Sequence, residues 1–250
     1  MRIISWNVNG IRSVYRKGFL DSLQKISADI LCLQEIRAGA EDIPPEIAGY
    51  FSYWNPSKRK GHSGVAVLSK QKPLKVSHSL GIKEFEGEGR ILALDFPKFT
   101  LFNLYFPHGR RDKEKLPFKL EAYDSFLEHL KRIDKDVVLC GDFNIAHTES
   151  DLARPQGNKN NTMFTPEERE RINRILSEGF VDTFRHLNPK SRKYTWWPYY
   201  RDARSRDIGW RIDYVFVSKN LIKNVKDAFI LSDVQGSDHC PTGIELSDGF

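Results

Sequence analysis

The sequence predicts an α/β fold, richer in sheet than a simple βαβ array, and three observations carry that prediction. Short apolar, β-branched runs alternate with segments of helical periodicity. Gly, Pro and Asp clusters punctuate them. No low-complexity tract, internal repeat or long linker interrupts the 250 residues, of which 40% are hydrophobic and 12% aromatic. That is enough for one large core, so residues 1–250 read as a single domain.

In chain order, Arg2–Trp6 is the first strand candidate. Phe19, Leu20, Leu23 and Ile26 then recur at helical spacing. Ile30–Leu33, Gly64–Ser69, Ile91–Phe96 and Thr100–Phe106 follow as strands. A helix from about Phe118 to Arg132 gathers Leu120, Tyr123, Phe126, Leu127 and Leu130 on one face. After the strand Val137–Cys140, Thr165-Pro166-Glu167-Glu168 has the chemistry of a helix start. Thr is the N-cap, Pro takes the first helical position and Glu stands three residues on from the cap. That helix buries Ile172, Ile175 and Leu176 and stops at Gly179; Asp213–Val217 is the last strand candidate.

Composition removes several function classes. No apolar stretch reaches the roughly 18 residues a bilayer-spanning helix needs, so no membrane partner is expected. Cys32 and Cys140 lie inside apolar runs, and with Cys240 they form no CxxC or Cys/His spacing. A zinc site or a disulfide framework is therefore not expected. A reducing, cytoplasmic setting fits, as does the strand-like Met1-Arg2-Ile3-Ile4, which leaves no room for a targeting segment. The formal charge of +6, from 39 Lys and Arg against 33 Asp and Glu, favours acidic partners.

The informative pattern is that apolar runs end abruptly in a carboxylate or an amide. The first strand leads into Asn7-Val8-Asn9-Gly10, and Ile30-Leu31-Cys32-Leu33 into Gln34-Glu35. Val137-Val138-Leu139-Cys140 leads into Gly141-Asp142-Phe143-Asn144. Towards the C-terminus stand Arg211-Ile212-Asp213-Tyr214 and Gly236-Ser237-Asp238-His239. Any one of these alone reads as a turn or cap. Together they are harder to dismiss, because a sheet aligns its strand ends on one rim and buried polar groups there need partners or an ion. Glu35, Asp142, Asp213, Asp238, Asn7, Asn9 and Asn144 offer oxygen, and only His239 offers nitrogen. Hard oxygen donors without thiolates suit Mg²⁺, with Mn²⁺ as substitute. Asp213 and His239 form a plausible carboxylate–imidazole pair.

Residues 192–214 interleave Arg192, Lys193, Arg201, Arg204, Arg206 and Arg211 with Tyr194, Trp196, Trp197, Tyr199, Tyr200 and Trp210. Arginines neutralise phosphates, and exposed rings stack on bases or fill the space one leaves. Some of these rings must belong to the core, Trp197 first among them. His108-Gly109-Arg110-Arg111 and Ser57-Lys58-Arg59-Lys60-Gly61-His62 are further basic stretches on loops.

These residues carry a family resemblance. WNVNGIR, LCLQE, YFPHG, LCGDFNIAH, DLARPQGNKNN, TPEER, VDTFRH, GWRIDY and GSDHCP, in that order from Ser5 to Pro241, closely resemble the exonuclease III family of apurinic/apyrimidinic endonucleases. GDxN and SDH alone mark the wider superfamily, which includes DNase I-like nucleases and phosphoinositide phosphatases. The DLARPQGN, FTPEER and GWRIDY stretches are specific to the DNA-repair branch.

The resemblance implies a four-layer α/β sandwich, with two mixed β-sheets packed face to face and helices outside. It implies Mg²⁺-dependent incision on the 5′ side of an abasic site in duplex DNA, leaving a 3′-hydroxyl and a 5′-deoxyribose phosphate. A 3′-to-5′ exonuclease or 3′-end cleaning activity can accompany it. By position, Glu35 resembles the principal metal ligand, with Asn9 and Asp238 near the ion. Asp142 resembles the residue that orients or deprotonates the attacking water, assisted by Asn144. His239, paired with Asp213, holds or polarises the phosphate, together with Asn7 and Tyr105. Trp196, Trp210 and Ile212 match the pocket for the flipped abasic sugar, and Asn158 a phosphate contact. Arg12, His62, Arg110, Arg111 and Tyr200 complete the expected DNA contacts. A monomer without an obligate protein partner is expected.

Three positions depart from the family pattern. Asn9 stands where some members have Asp, His108 where relatives show Asn or Gln, and His62 where some carry an aromatic ring. The basic aromatic stretch argues against a phosphatase acting on a small headgroup, and the complete set of acids and His239 argues against a binding module that has lost catalysis.

Overall fold

Strands that are apolar at every position have to be covered on both faces, which only an inner sheet of a layered fold provides. The computed structural model describes residues 1–42, 47–247 and 249, and it places the long apolar runs in that way. One six-stranded sheet holds β1 (Arg2–Asn7), β2 (Ile30–Gln34), β3 (Phe51–Asn55), β4 (Val65–Ser69), β11 (Val225–Ile230) and β12 (Thr242–Leu246) in the order β11-β12-β1-β2-β4-β3. The other holds β5 (Lys75–Ser77), β6 (Ile91–Asp95), β7 (Thr100–Tyr105), β8 (Val137–Asp142), β9 (Phe180–Asp182) and β10 (Asp213–Ser218) in the order β5-β6-β7-β8-β10-β9. Each sheet is mixed: β1 and β2 run parallel, as do β7 and β8, while the other pairings are antiparallel.

Alternation along each strand divides its side chains between two layers. Ile3, Cys32, Val67, Leu94, Val138, Cys140, Val217 and Ile244 meet between the sheets. On the outer face of the first sheet, Ile4, Trp6, Leu31 and Leu33 pack on Val14, Phe19, Leu23 and Ile26 of α1 (Ile11–Arg16) and α2 (Phe19–Ile26). On the outer face of the second, Phe102, Leu104 and Leu139 pack on α3 (Leu116–Leu130) and α4 (Pro166–Ser177) through Tyr123, Phe126, Leu127, Ile172 and Ile175. The result is the expected four-layer sandwich. A short α5 (Thr183–Leu187) follows β9. The three cysteines are buried and free, and none of the described helices is long and apolar enough to cross a membrane.

The long elements fall within two residues of their expected ends. The α4 start forms the reciprocal cap read from the sequence: Glu168 N–H donates to Thr165 Oγ1 at 3.3 Å, and Thr165 N–H to Glu168 Oε2 at 3.1 Å. Apolar patterning does not announce α1, α5, β3, β5, β9, β11 or β12. β5 and β9 are three residues each, too short for periodicity to register. β12 contains Gly243, which a strand pattern reads as a break; here a Cβ would lie 2.6 Å from the Ile3 carbonyl oxygen, so only glycine permits the close pairing with β1.

Candidate active site

Topology explains why polar groups from distant segments share one rim. Because β1 and β2 are parallel, their C-terminal ends coincide, Asn7 opposite Gln34 with Glu35 next. Because β7 and β8 are parallel and β10 is antiparallel to β8, Tyr105, Asp142 and Asp213 stand side by side across three strands. β12 is antiparallel to β1 and begins just after His239, which brings Asp238 and His239 to the same end.

Side chains then link the two sheets. Asn7 Nδ2 donates to Glu35 Oε2 at 3.0 Å and to Asp142 Oδ2 at 2.9 Å. Asn9 N–H donates to Asn7 Oδ1 at 2.9 Å, and Asn9 Nδ2 to Asp238 Oδ1 at 2.8 Å. His239 Nδ1 lies 2.9 Å from Asp213 Oδ2, and its Nε2 4.0 Å from Asp142 Oδ2. Asn144 N–H donates to Asp142 Oδ1 at 2.8 Å. Beneath this layer, Gln34 Nε2 donates to Asn103 Oδ1 at 2.7 Å and to Ser5 Oγ at 3.0 Å, a fully buried polar bridge between the sheets.

Low dielectric and crowded charge shift these groups. Burial, reinforced by the charge of Asp213, pushes the Asp142 carboxyl up to about 7, against the pull of His239, the Asn144 N–H and Asn7. Burial alone would lower His239, but Asp213 overrides it and raises the imidazole to about 10. Burial also lifts the Tyr105 hydroxyl well above its ordinary range, helped by the charge of Glu35. For Asp238, burial is outweighed by His239 and the Asn9 and Trp196 donors, which hold it below the usual carboxylate range.

The donor set fits a hard cation. One oxygen or nitrogen from each of Asp142, Asp213 and His239 lies within 4.8 Å of the others, but the protonated imidazole is a donor, so the acceptors open to an ion are oxygens. Asn9 Oδ1 and Asp213 Oδ1 are buried oxygens without a hydrogen-bond donor, the arrangement in which an acceptor is satisfied by a metal ion or by substrate. Glu35 and Asp238 stand outside the tight Asp–Asp–His group and reach it through Asn7 and Asn9. Backbone geometry confirms that the rim is specially built. Asn9, Glu35 and Asn144, each within two residues of a strand end, have φ of 45, 56 and 52°, a region that costs a non-glycine residue on the order of 1 kcal/mol or more.

Beside the cluster opens a cleft of about 550 Å³ lined by His108, Arg111, Asn158, Trp196, Tyr200 and Trp210, among others. Trp196 joins the two features: its Nε1 donates to Asp238 Oδ2 at 3.0 Å, and its ring centroid lies 6.3 Å from that of His239. The expected DNA contacts divide. Arg111, Asn158, Trp196, Tyr200 and Trp210 reach the cleft, as do Arg201 and Arg206. Ile212 does not line it, since it is 1% exposed and packs under the two tryptophans with Leu152, Met163 and Phe164. Arg12, paired with Asp42 at 3.2 Å, and Arg110, paired with Glu114 at 2.7 Å, lie on the exposed surface outside the cleft, as does His62. Two arginines of the 192–214 stretch are structural. Arg211 is 1% exposed between Asp151 and Asp182, and Arg204 donates to the Ser232, Val234 and Ser237 carbonyls. Trp197 is in the core, as expected.

Residues 4–239 match the model of the endonuclease/exonuclease/phosphatase family. The chain belongs to that family. It is 47% identical to an exodeoxyribonuclease of Bacillus subtilis over 99% of this chain and 100% of the relative. It is 42% identical to the DNA repair nuclease APEX1 of Danio rerio over 99% of this chain and 82% of that protein. An AP endonuclease from Archaeoglobus fulgidus superposes with a TM-score of 0.91 at 30% identity, covering 99% of both chains.

Within this family scaffold the structure adds supports that the sequence reading missed. Lys119, on the buried face of α3, donates to Glu168 Oε1 at 2.5 Å and to the Asn144 carbonyl at 2.6 Å, tying α3 and α4 to the loop after β8. Its spacing with Tyr123 on the apolar face of the helix is the one signal the sequence offered. Arg37 grips Glu35 across two residues, and no periodicity announces it.

Proposed function

We propose that the chain is a Mg²⁺-dependent DNA-repair nuclease that hydrolyses the phosphodiester bond 5′ to an abasic site in duplex DNA, leaving a 3′-hydroxyl. A 3′-to-5′ exonuclease or 3′-end cleaning activity shares the same site, and the enzyme works as a single-domain cytoplasmic monomer. The observation that carries this reading is the junction of a buried acid–imidazole cluster with a cleft whose wall presents two indole rings. Family membership, together with relatives named as exodeoxyribonuclease and AP endonuclease, supports it.

In this reading Glu35, Asn9 and Asp238 hold the ion, as hard oxygen donors suited to Mg²⁺ or Mn²⁺. When bound, the ion supplies positive charge where the phosphate gains negative charge. The remaining work falls to residues of the chain. His239, kept cationic by Asp213, donates from Nε2 to a non-bridging phosphate oxygen, with the Tyr105 hydroxyl alongside it, while Asn7 spends both Nδ2 hydrogens on orienting Glu35 and Asp142. Asp142, with a carboxyl near neutrality, accepts a proton from the attacking water, oriented by Asn144. Trp196 and Trp210 take the sugar that lacks its base, and the arginines of the cleft neutralise flanking phosphates.

The test is incision of a duplex carrying one tetrahydrofuran site, with Mg²⁺ and with EDTA. Incision that requires Mg²⁺ and leaves a 3′-hydroxyl is expected; equal cutting in both conditions, or none in either, would defeat the reading.

A further inference from the structure

Glu35 sits under unusual restraint. Its residue and Arg37 both adopt left-handed backbone conformations, with φ of 56 and 49°. That geometry turns the Arg37 side chain back onto the carboxylate two residues earlier. Arg37 Nε donates to Glu35 Oε1 at 2.9 Å, and Nη2 donates to the same oxygen. The other oxygen, Oε2, accepts from Asn7 Nδ2 at 3.0 Å. The Glu35 side chain is 14% exposed and that of Arg37 45%, so a largely enclosed carboxylate meets a guanidinium that opens to solvent.

The backbone does not need this side-chain pair. Ile36 N–H donates to the Gly64 carbonyl at 3.0 Å and Arg37 N–H to Ser63 at 2.8 Å. Gly10 N–H donates to Glu35 and Ile11 N–H to Ile36, both at 2.8 Å. Four main-chain bonds therefore hold the loop in place whatever occupies position 37. The guanidinium is left with an electrostatic task.

We propose that Arg37 is a built-in counter-cation to Glu35, which fixes the carboxylate's orientation and weakens the site's hold on a divalent cation. The inference rests on the reading of Glu35 as a metal ligand. A carboxylate has about four acceptor positions, so Arg37 and Asn7 leave room for an ion without being displaced. A fixed positive charge within a few ångströms of that ion nonetheless repels it. The protein then binds the free cation loosely, and substrate phosphate completes the ion's oxygen shell. Arg37 is a positioning residue; it touches Glu35 and no reacting atom.

The experiment measures Mn²⁺ binding to the full chain without DNA, by titration with the unbound ion followed by electron paramagnetic resonance. Arg37→Gln is expected to lower the half-saturating Mn²⁺ concentration by about tenfold, as removal of one nearby charge predicts. Arg37→Lys keeps the charge and is expected to stay within about threefold of the parent chain. Glu35→Gln is expected to weaken binding by more than about tenfold. If Glu35→Gln binds Mn²⁺ as the parent does, the ligand reading itself falls, and the inference with it. If Glu35→Gln weakens binding but Arg37→Gln leaves it unchanged or weaker, the ligand reading stands and the counter-cation is overturned. An Arg37→Lys chain that behaves like Arg37→Gln overturns it as well, because charge would then not be the agent.

Discussion

His239 Nδ1 lies 2.9 Å from Asp213 Oδ2, and both side chains are buried. The carboxylate accepts a hydrogen bond from Nδ1–H, which turns Nε2–H towards Asp142 and the rim. Asp213 lifts the imidazole from an ordinary 6.5 to about 10 against the opposing effect of burial. A histidine raised in the fold stabilises it fully below pH about 6.5, and that contribution fades as pH rises through about 10. At neutral pH the ring is a cation.

His239→Ala should therefore lose turnover by about 10³-fold, comparable to removal of a donor that serves the transition state. Duplex affinity should stay within about tenfold, because it rests mainly on phosphate contacts elsewhere. Single-turnover cleavage and a filter-binding titration separate the two. Asp213→Asn removes the charge that raises His239, so the alkaline limb of its pH–rate profile should move towards the ordinary histidine range. A limb that stays in place would remove Asp213 from this role.

The strand carrying Asp213 is anchored two residues upstream by charge. Arg211 Nε donates to Asp151 Oδ1 at 2.8 Å and Nη2 to Asp182 Oδ2 at 2.7 Å, all three buried. Burial would raise Asp151, but Arg211 and Arg185 override it and hold the carboxyl well below its usual range. A depressed carboxyl contributes stability that is present above its unfolded value, near pH 4, and is lost as pH falls through the folded one. Arg211→Met should cost about 3–5 kcal/mol in urea unfolding, since it leaves the buried Asp182 without its guanidinium and Asp151 with Arg185 alone. Asp151→Asn should flatten the fall of stability between pH 4 and 2; an unchanged slope there would mean the pair contributes nothing to acid lability.

A second buried pair supports the other side of the site. Lys119 and Glu168 are both 0% exposed, and the Lys119 ammonium also donates to the Asn144 carbonyl. Lys119→Met should destabilise by about 3–5 kcal/mol by leaving a lone buried carboxylate. Glu168→Gln in the same chain removes the charge but keeps one acceptor oxygen, where the carboxylate serves the Met163 and Thr165 N–H groups with one oxygen each. The double variant should therefore recover part of the loss in a double-mutant cycle. Additive losses would show that charge pairing is not what holds α3 to α4.

The legibility of this site follows from burial. The strands β1, β2 and β8 are covered on both faces, so their polar ends stand out as breaks in apolar runs, and Asn7, Glu35 and Asp142 can be read from spacing alone. Their convergence cannot, because it depends on which strands run parallel. Arg204 and Arg211 look like their neighbours Arg201 and Arg206, since sequence shows charge but not which guanidinium finds buried carbonyls or carboxylates. Ile212, two residues on from Trp210, packs beneath the two indole rings and is 1% exposed, and sequence shows its apolar side chain but not that the rings cover it. β11 and the three-residue β5 and β9 complete sheets whose edges need little apolar pattern of their own.

The two cleft tryptophans should contribute differently although they share a wall. Trp210 meets Phe164 edge to face, with centroids 6.4 Å apart, and its backbone pairs with Trp196. Under the proposed function Trp210 offers the substrate ring surface, so Trp210→Ala should lower kcat/KM on a tetrahydrofuran duplex by about tenfold to a hundredfold, the range for one lost stacking partner. Affinity for an intact duplex should hardly move, because no sugar is flipped from it. Trp196 has a second task, its Nε1 donor on Asp238. Trp196→Phe keeps a ring but removes the donor, so KM should hold while kcat falls, with the loss shrinking as Mg²⁺ is raised if Asp238 positions the ion. Equal losses of KM and kcat in both variants would mean that the rings only shape the wall, and that the link from Trp196 to Asp238 has no part in the chemistry.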